Sequence, residues 1–329
     1  MRKVRIGAIQ MADLPIPQDC NCLSDAFVAD ADYVLRHNVL AQAEVTYDLL
    51  EKAGAAGMDA VTTGEDLCQI SHYIIDTSSL NIFPQLTRLS APLAEERISA
   101  IAKKYRMNIV ACYMKAYGDK IYNLASLFDR SGQIVGEYRK THLPPNEMWQ
   151  VTQGETAPVF EMDFGRVGVE ICYDMMFPAL SEALSLQGAE VVFHPTAGYG
   201  WYDSIGEATL RTRANDNSLY IVTSKNYCYN GAGRSSVVDH WGQILSDAGF
   251  YANVIVSAEV DLDIPKTQPD WHYQTGITGE PNMVLRRPGE RRPDLYGILA
   301  DTSATPQSPP SIAEQERIRE RVKSGEFHW

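Results

Sequence analysis

Short segments with strand character alternate with helical segments along this chain, and this order limits the fold more than any other feature. The first such segment, 4–10, alternates weakly between apolar and polar residues and ends at turn residues. The other predicted strands lie at 59–63, 108–113, 121–128, 134–138, 167–172, 191–194, 220–224, 235–239 and 254–260. Helical spacing and capping residues predict helices at 39–53, 90–105, 179–187 and 205–217. Strand–helix alternation mixed with a hairpin turn at 129–132 predicts an α/β fold with mixed sheets.

Two stretches fall outside this alternation. Residues 13–38 carry Pro15, Pro17 and many Asp and Asn residues, which predicts an inserted or lid-like loop. From about Thr267 the chain is rich in proline and arginine, which predicts an extended arm. We therefore expect a domain over 1–266 and an arm over 267–329 that contacts a neighbouring subunit.

Charge and cysteine content exclude several classes of protein. The net charge of −13 over 329 residues opposes binding to nucleic acid or to anionic membrane surfaces. No run of about 18 apolar residues occurs, so no transmembrane helix is expected. The six cysteines are scattered without a CxxC pair, which argues against a structural zinc site. Reduced thiols favour a cytoplasmic location.

A cysteine ends one of the apolar strands. The segment 168–174, GVEICYD, carries Cys172 at a strand-to-helix turn, before a helix that Phe177 and Pro178 open. The partial positive charge of a helix N-terminus favours a thiolate at such a position. A lone cysteine there could equally be a small buried hydrophobe, because free cysteines are among the most buried residues.

A cation and a carboxylate stand at the ends of two other strands. Lys140 lies in the segment 138–143, YRKTHL, where the strand breaks at a pair of prolines, and Glu65 follows the strand 59–63. Ligand-facing residues of α/β sheets tend to lie at strand ends. A thiol that attacks a carbonyl needs a base for its proton and donors for the oxyanion. A carboxylate with a pKa raised by poor solvation can serve as that base, so Glu65, Lys140 and Cys172 cover the roles together.

With these segments in order, the chain resembles the nitrilase superfamily of carbon–nitrogen hydrolases over roughly residues 3–262. The segments that carry the resemblance are 8–10, Glu65, 138–143, 168–174, 177–178, 233–235 and 239–242. The resemblance implies a four-layer α-β-β-α sandwich with mixed sheets, which assembles into homodimers or higher homo-oligomers. It also implies a Glu65–Lys140–Cys172 triad that needs neither metal nor cofactor.

The resemblance assigns further roles and narrows the substrate. It implies that Glu147 assists as a second glutamate, and that the backbone N–H of Tyr173 joins Lys140 in binding the oxyanion. The sequence Cys-Tyr-Asp at 172–174 is similar to the amidase and N-carbamoyl hydrolase branches rather than to the nitrile-hydrolysing one. Many members carry an arginine where Met176 stands, so a neutral or partly apolar small amide is the expected substrate.

Several alternatives stay open at this point. His194 stands where the superfamily often has Tyr or Asn, and it is a candidate pocket residue together with Tyr199, Trp201 and Met176. Histidines in three separate segments leave a Cys–His dyad as another interpretation. The same triad could also hydrolyse a nitrile or transfer an acyl group to an amine, and an inactive homologue could act as a scaffold.

Overall fold

The computed structural model contains two six-stranded β-sheets packed face to face. The structure describes residues 1–76, 80–197, 204–227, 233–264, 291–301 and 317. The strands, in chain order, are β1 (Lys3–Gln10), β2 (Ala60–Thr62), β3 (Asn108–Tyr117), β4 (Lys120–Phe128), β5 (Ile134–Arg139), β6 (Phe160–Met162), β7 (Gly165–Val169), β8 (Val191–Thr196), β9 (Tyr220–Lys225), β10 (Ser236–Val238), β11 (Ile244–Asp247) and β12 (Val254–Asp261). The helices are α1 (Ala31–Val34), α2 (Leu40–Ala55), α3 (Phe83–Tyr105), α4 (Pro178–Leu186) and α5 (Ser204–Asn217).

Each sheet mixes parallel and antiparallel pairs. The first sheet has the order β12-β1-β2-β3-β4-β5, with β1, β2 and β3 parallel to one another. The second has the order β11-β10-β9-β8-β7-β6, with β7, β8 and β9 parallel. The mixed sheets predicted from the strand and hairpin order are therefore confirmed.

Three apolar clusters define the layers. One cluster lies between the sheets and includes Ile6, Ala125, Val169 and Phe193 from their facing sides. A second packs α1, α2 and α3 on the outer face of the first sheet, and a third packs α4 and α5 on the outer face of the second. The result is the four-layer α-β-β-α sandwich that was expected.

The helix predicted at 90–105 begins earlier, at Phe83. Pro84 occupies the first turn, where its missing N–H costs no hydrogen bond, whereas Pro92 lies inside the helix. Phe83 and Leu86 are buried on the same face as Ile98, so the apolar stripe extends seven residues upstream of Ser90. The prediction took Pro92 for the proline of the first turn, which is Pro84.

Residues 31–38, predicted to be part of an irregular loop, are helical. Asp30 caps the segment by accepting a hydrogen bond from the Tyr33 N–H at 2.9 Å. α1 then runs through a π-helical turn, Leu35–Val39, directly into α2. Val34 and Val39 are buried on this segment, so tertiary packing stabilises a helix that its polar residues obscure.

Two short strands, β6 and β11, also lie where no strand was predicted. They form the two edges of the second sheet, and each is only three or four residues long. Of the predicted arm, the structure describes 291–301 and 317, and Arg291 pairs with Glu182 on α4 at 2.5 Å. The division at residue 266 stays a prediction.

Candidate active site

Lys140 is fully buried between two glutamates. It follows β5, and its backbone N–H donates to the Asn123 carbonyl on β4 at 2.9 Å. Its Nζ lies 2.7 Å from Glu65 Oε1 and 2.7 Å from Glu147 Oε1. Burial alone lowers the pKa of Lys140, but the two carboxylates outweigh it and hold the pKa well above its usual value. We call Glu65, Lys140 and Glu147 the carboxylate–lysine cluster.

Glu65 is fixed at both its backbone and its side chain. Its carbonyl accepts from Asn226 Nδ2 at 3.0 Å, and its Oε2 accepts from the Ala197 N–H at 2.9 Å. A Cβ on the preceding residue, Gly64, would lie 1.8 Å from Asn226 Oδ1. A side chain at position 64 would therefore require Asn226 to shift.

The two glutamates have opposite pKa shifts. Burial raises the pKa of Glu65, but the charge and hydrogen bond of Lys140 outweigh it, so the pKa lies below its ordinary value. For Glu147, burial raises the pKa more than Lys140 lowers it, and the pKa reaches about 6. The expectation of a raised pKa on Glu65 was therefore wrong, because it considered poor solvation without the ion pair. Glu65 is ionised at neutral pH.

Cys172 stands at the strand-to-helix turn predicted for it, in a strained backbone conformation. It begins a short 3₁₀-helix, Cys172–Met176, with a φ of +48°. A non-glycine residue in this left-handed region costs free energy and is held there by its surroundings. The residue as a whole is half-buried.

The thiol lies beside the carboxylate–lysine cluster. The negative charge of Glu65 and the positive charge of Lys140 both act on the thiol, which places the sulfur near these two groups. Burial, followed by the negative charge of Glu65, raises the pKa of the Cys172 thiol to about 12. The expected thiolate is thus wrong, because burial and a facing carboxylate dominate over the helix N-terminus. The resting thiol keeps its proton and depends on a base.

Asp174 ties the nucleophile segment to the lysine segment. This buried carboxylate accepts from the Ile171 N–H at 2.9 Å, which fixes the turn in which Cys172 lies. It also accepts from the His142 N–H at 2.8 Å and from the Tyr138 hydroxyl at 2.7 Å. The two sequence blocks that flank Lys140 and Cys172 are therefore joined through one side chain.

His194 does not line an open pocket. Its ring is fully buried behind the nucleophile, with Nδ1 2.9 Å from Thr223 Oγ1 and Nε2 3.2 Å from the Cys172 carbonyl oxygen. Burial lowers the pKa of His194 to about 4, so the ring is neutral and can donate from Nε2 to that oxygen. The pocket role expected for it is corrected to a contact with the nucleophile's backbone.

Two further histidines considered for a Cys–His dyad, His142 and His240, contact other side chains. His142 lies 2.9 Å from Asp174 and stacks on Phe177 with ring centroids 3.9 Å apart. His240 is buried against Tyr220 and Trp241. The titratable group whose charge acts most strongly on the Cys172 thiol is Glu65, which favours a carboxylate base over a Cys–His dyad.

Of the remaining predicted site residues, the structure describes Met176 and Tyr173. Met176 is 51% exposed at the end of the 3₁₀-helix, and Tyr173 packs its ring edge-on against Phe177 at 5.3 Å. The backbone N–H of Tyr173 lies in the first turn of that helix, where N–H groups have no intrahelical acceptor. Tyr199 and Trp201 lie outside the described residues.

Sequence reasoning missed Asn123 and Thr196, which contact the cluster and the thiol. Asn123 is a polar residue in the otherwise apolar stretch 121–128, and that mismatch was the available signal.

Among the described residues, no group of three or more His, Cys, Asp or Glu side chains is arranged to hold a metal ion. None of the described helices is long and apolar enough to cross a membrane.

The fold and the geometry of this site agree with the protein family that the sequence matches. Residues 83–265, more than half of the chain, match the profile of the carbon-nitrogen hydrolase family. The chain therefore belongs to that family, within the nitrilase superfamily, and is a carbon–nitrogen hydrolase.

Three individual proteins show what this chain is similar to. A protein described as a hydrolase in the pqqF 5′ region of Pseudomonas protegens is 32% identical over 62% of this chain and 70% of its own length. The omega-amidase NIT2 of Xenopus tropicalis is 28% identical over 76% of this chain and 89% of its own. The crystal structure of a carbon-nitrogen hydrolase from Helicobacter pylori G27 superposes with a TM-score of 0.70 at 21% identity, covering 91% of this chain and 98% of that one. This last similarity concerns the fold alone.

Proposed function

We propose that this protein hydrolyses the amide bond of a small linear amide and releases ammonia or an amine and a carboxylic acid. One observation carries the proposal: the protonated thiol of Cys172 lies near an ionised Glu65, which is itself paired with Lys140 at 2.7 Å. These three groups supply a nucleophile, its base and a cation for the oxyanion. An amidase among the relatives supports the choice of an amide.

The first half-reaction forms a thioester. Because the resting thiol is protonated, Glu65 accepts its proton while the sulfur attacks the carbonyl carbon. The oxyanion of the tetrahedral intermediate accepts hydrogen bonds from Lys140 Nζ and from the backbone N–H of Tyr173. The C–N bond then breaks, and the proton held by Glu65 passes to the departing nitrogen.

The second half-reaction releases the acid. Water attacks the thioester, and Glu65, assisted by Glu147, accepts the proton of that water. Glu147 has a pKa of about 6, which suits a general base working near neutral pH. Breakdown of the second tetrahedral intermediate returns the proton to the sulfur and restores the resting thiol. Apart from the substrate and this water, every group in the two half-reactions belongs to the chain.

The N-carbamoyl group is the second candidate substrate, because the same steps cleave a ureido bond and the resulting carbamate loses carbon dioxide. The Cys-Tyr-Asp sequence at 172–174 supports both substrates. An exposed methionine, Met176, offers no charge for a substrate carboxylate, which supports a neutral or partly apolar acyl group. Nitrile hydrolysis and acyl transfer remain weaker candidates on the same triad.

An ammonia-release screen over aliphatic amides, ureido acids and nitriles tests the proposal. We expect amides to be turned over fastest by the wild-type protein and Cys172→Ala to show no turnover while keeping its unfolding midpoint. Cys112→Ala, which removes a different buried thiol, should stay active. Full activity of Cys172→Ala would refute the assigned nucleophile. A thiol on Cys172 that resists alkylating reagents, with no turnover of any compound, would favour an inactive scaffold.

A further inference from the structure

Asn123 contacts both carboxylates of the carboxylate–lysine cluster. It lies on β4 and is 1% exposed. Its Nδ2 is 2.9 Å from Glu65 Oε1 and 3.4 Å from Glu147 Oε2. Asn123 therefore bridges the same two glutamates that Lys140 bridges, but with neutral donors.

The orientation of this amide follows from its partners. Only the nitrogen of an Asn side chain donates, and it carries two hydrogens, one for each glutamate. The oxygen, Oδ1, accepts from Cys112 Sγ at 3.4 Å on the neighbouring strand β3. A flipped amide would place its oxygen against both carboxylates, so Cys112 and the two glutamates together select one orientation.

The cluster needs more donors than the ammonium can supply. Two carboxylates and one ammonium leave an excess of one negative charge in a buried site. Lys140 Nζ binds one oxygen of each glutamate, and the second oxygen of Glu65 accepts from the Ala197 N–H. The second oxygen of Glu147 accepts from Asn123. Hydrogen bonds to the ionised form stabilise it, so these donors hold both glutamates in place as carboxylates.

We infer that Asn123 is a positioning residue that holds Glu65 and Glu147 on either side of Lys140, so that Glu65 faces the Cys172 thiol and Glu147 stays available as a second base. The inference rests on the function proposed above and adds a residue to it. Asn123 acts through the glutamates rather than on the sulfur, because its contacts are the two glutamates, Cys112 and the Lys140 backbone.

Two substitutions at Asn123 test this role by pH dependence. Asn123→Leu removes the donors, and Asn123→Asp keeps the shape but adds a third carboxylate. Because the lost N–H groups favoured ionised glutamates, both variants should raise the glutamate pKa values. The acid limb of the kcat/KM profile should then move to higher pH, by about one unit for Leu and more for Asp. At pH 7 we expect activity to fall roughly 10- to 100-fold, the range for a hydrogen bond to a charged group.

Matched controls separate positioning from general damage to the strand. Ser126→Ala, on the same strand, removes a buried hydrogen bond to the Tyr113 hydroxyl at 2.7 Å and should leave the pH profile unchanged. Cys112→Ala keeps Asn123 but removes the donor to its Oδ1, and should give a small shift in the same direction.

A second readout does not depend on the substrate. The rate at which iodoacetamide alkylates Cys172, followed by mass spectrometry across pH, should show the same shift in the Asn123 variants. If wild-type protein hydrolyses no amide but this alkylation shift appears, the proposed function fails and the inference stands. If the Asn123 variants lose activity and alkylation rate equally at every pH, as a merely structural residue would, the inference is overturned. Should Asn123→Leu fail to fold, the isosteric Asn123→Asp decides.

Discussion

Two lysines of this chain each bridge two glutamates, and they differ in how far water reaches them. Lys115, on β3, lies 2.6 Å from Glu95 and 2.7 Å from Glu137. Lys140 makes contacts of 2.7 Å with both of its glutamates. The Lys115 side chain is 19% exposed, whereas that of Lys140 has no exposed surface.

The difference separates an ordinary ion pair from a functional one. A partly exposed pair is screened by water and contributes about 1 kcal/mol or less to stability. A buried pair costs desolvation that its attraction barely offsets, so burial of Lys140 gives little stability in return. The buried cluster also adjoins a thiol, whereas Lys115 contacts Glu95, Glu137 and the ring of Tyr117. Under the function proposed above, chemistry at Cys172 rather than stability accounts for a cluster buried inside the sandwich.

Removing each lysine is the strongest way to break this comparison. Lys140→Met leaves two carboxylates buried without a cation, so we expect a loss of about 3–5 kcal/mol in unfolding free energy. It also removes an oxyanion donor, and amide turnover should fall by a factor of about a thousand or more. Lys115→Met should cost about 1 kcal/mol or less and leave turnover within about twofold. Urea unfolding and ammonia release measure both. Equal losses in the two variants would contradict the distinction.

Replacing Glu147 sharpens the assignment inside the buried cluster. With a pKa near 6, Glu147 gains its charge as pH rises through that value, so the wild-type rate should rise there. Glu147→Gln should lower kcat by about a hundredfold and remove that acid limb. Glu137→Gln, from the exposed cluster, should change neither. A Glu147→Gln profile that keeps the limb near pH 6 would assign that titration to another group.

A smaller effect is expected behind the nucleophile. His194→Ala removes the donor to the Cys172 carbonyl and relaxes a turn held at positive φ, so kcat should fall by about tenfold with little change in KM. Thr223→Val removes the partner of Nδ1 but keeps the ring, and should have a weaker effect of the same kind. Steady-state kinetics distinguish support of the nucleophile's backbone by His194 from a role in the substrate pocket. A rise in KM alone would restore the substrate-pocket role first expected for His194.

The last prediction concerns folding stability instead of turnover, at the buried side chain of Glu170. Glu170 accepts from the Ser181 hydroxyl at 2.7 Å, and burial raises its pKa to about 8. Since its folded pKa exceeds the unfolded value, its stabilising contribution is lost as pH rises from about 4.5 to 8, by up to about 1.4 kcal/mol per unit. Glu170→Gln should remove that slope in unfolding free energies measured from pH 5 to 8. Glu259→Gln, at an exposed pair with Lys3, should keep it.

Much of the arrangement could be predicted because it depends on local patterns. Strand–helix alternation indicated mixed sheets, and the resemblance to the nitrilase superfamily implied the four-layer sandwich. Strand ends marked Glu65, Lys140 and Cys172. The structure brings those three side chains together with Glu147. No single-residue pattern carries the distances between segments that are 32 and more positions apart, so convergence itself needed coordinates.

The predictions that were wrong depended on the surroundings of a side chain, which the sequence does not give. The pKa direction of Glu65 depends on the ammonium beside it, and that of Cys172 on burial and a facing carboxylate. His194 looked like a pocket residue because it ends a strand, yet its ring turns behind the nucleophile. Helix starts failed for a local reason, because two prolines, Pro84 and Pro92, both fit a first turn.

The central claim is that the sulfur of Cys172 forms the covalent intermediate. Rapid acid quenching during turnover of an amide, followed by peptide mass spectrometry, measures it directly. The account predicts a mass increase equal to the acyl group on the peptide that contains Cys172, and no such increase in Cys172→Ala. Turnover with the acyl group on another cysteine, such as Cys68 or Cys112, would contradict it.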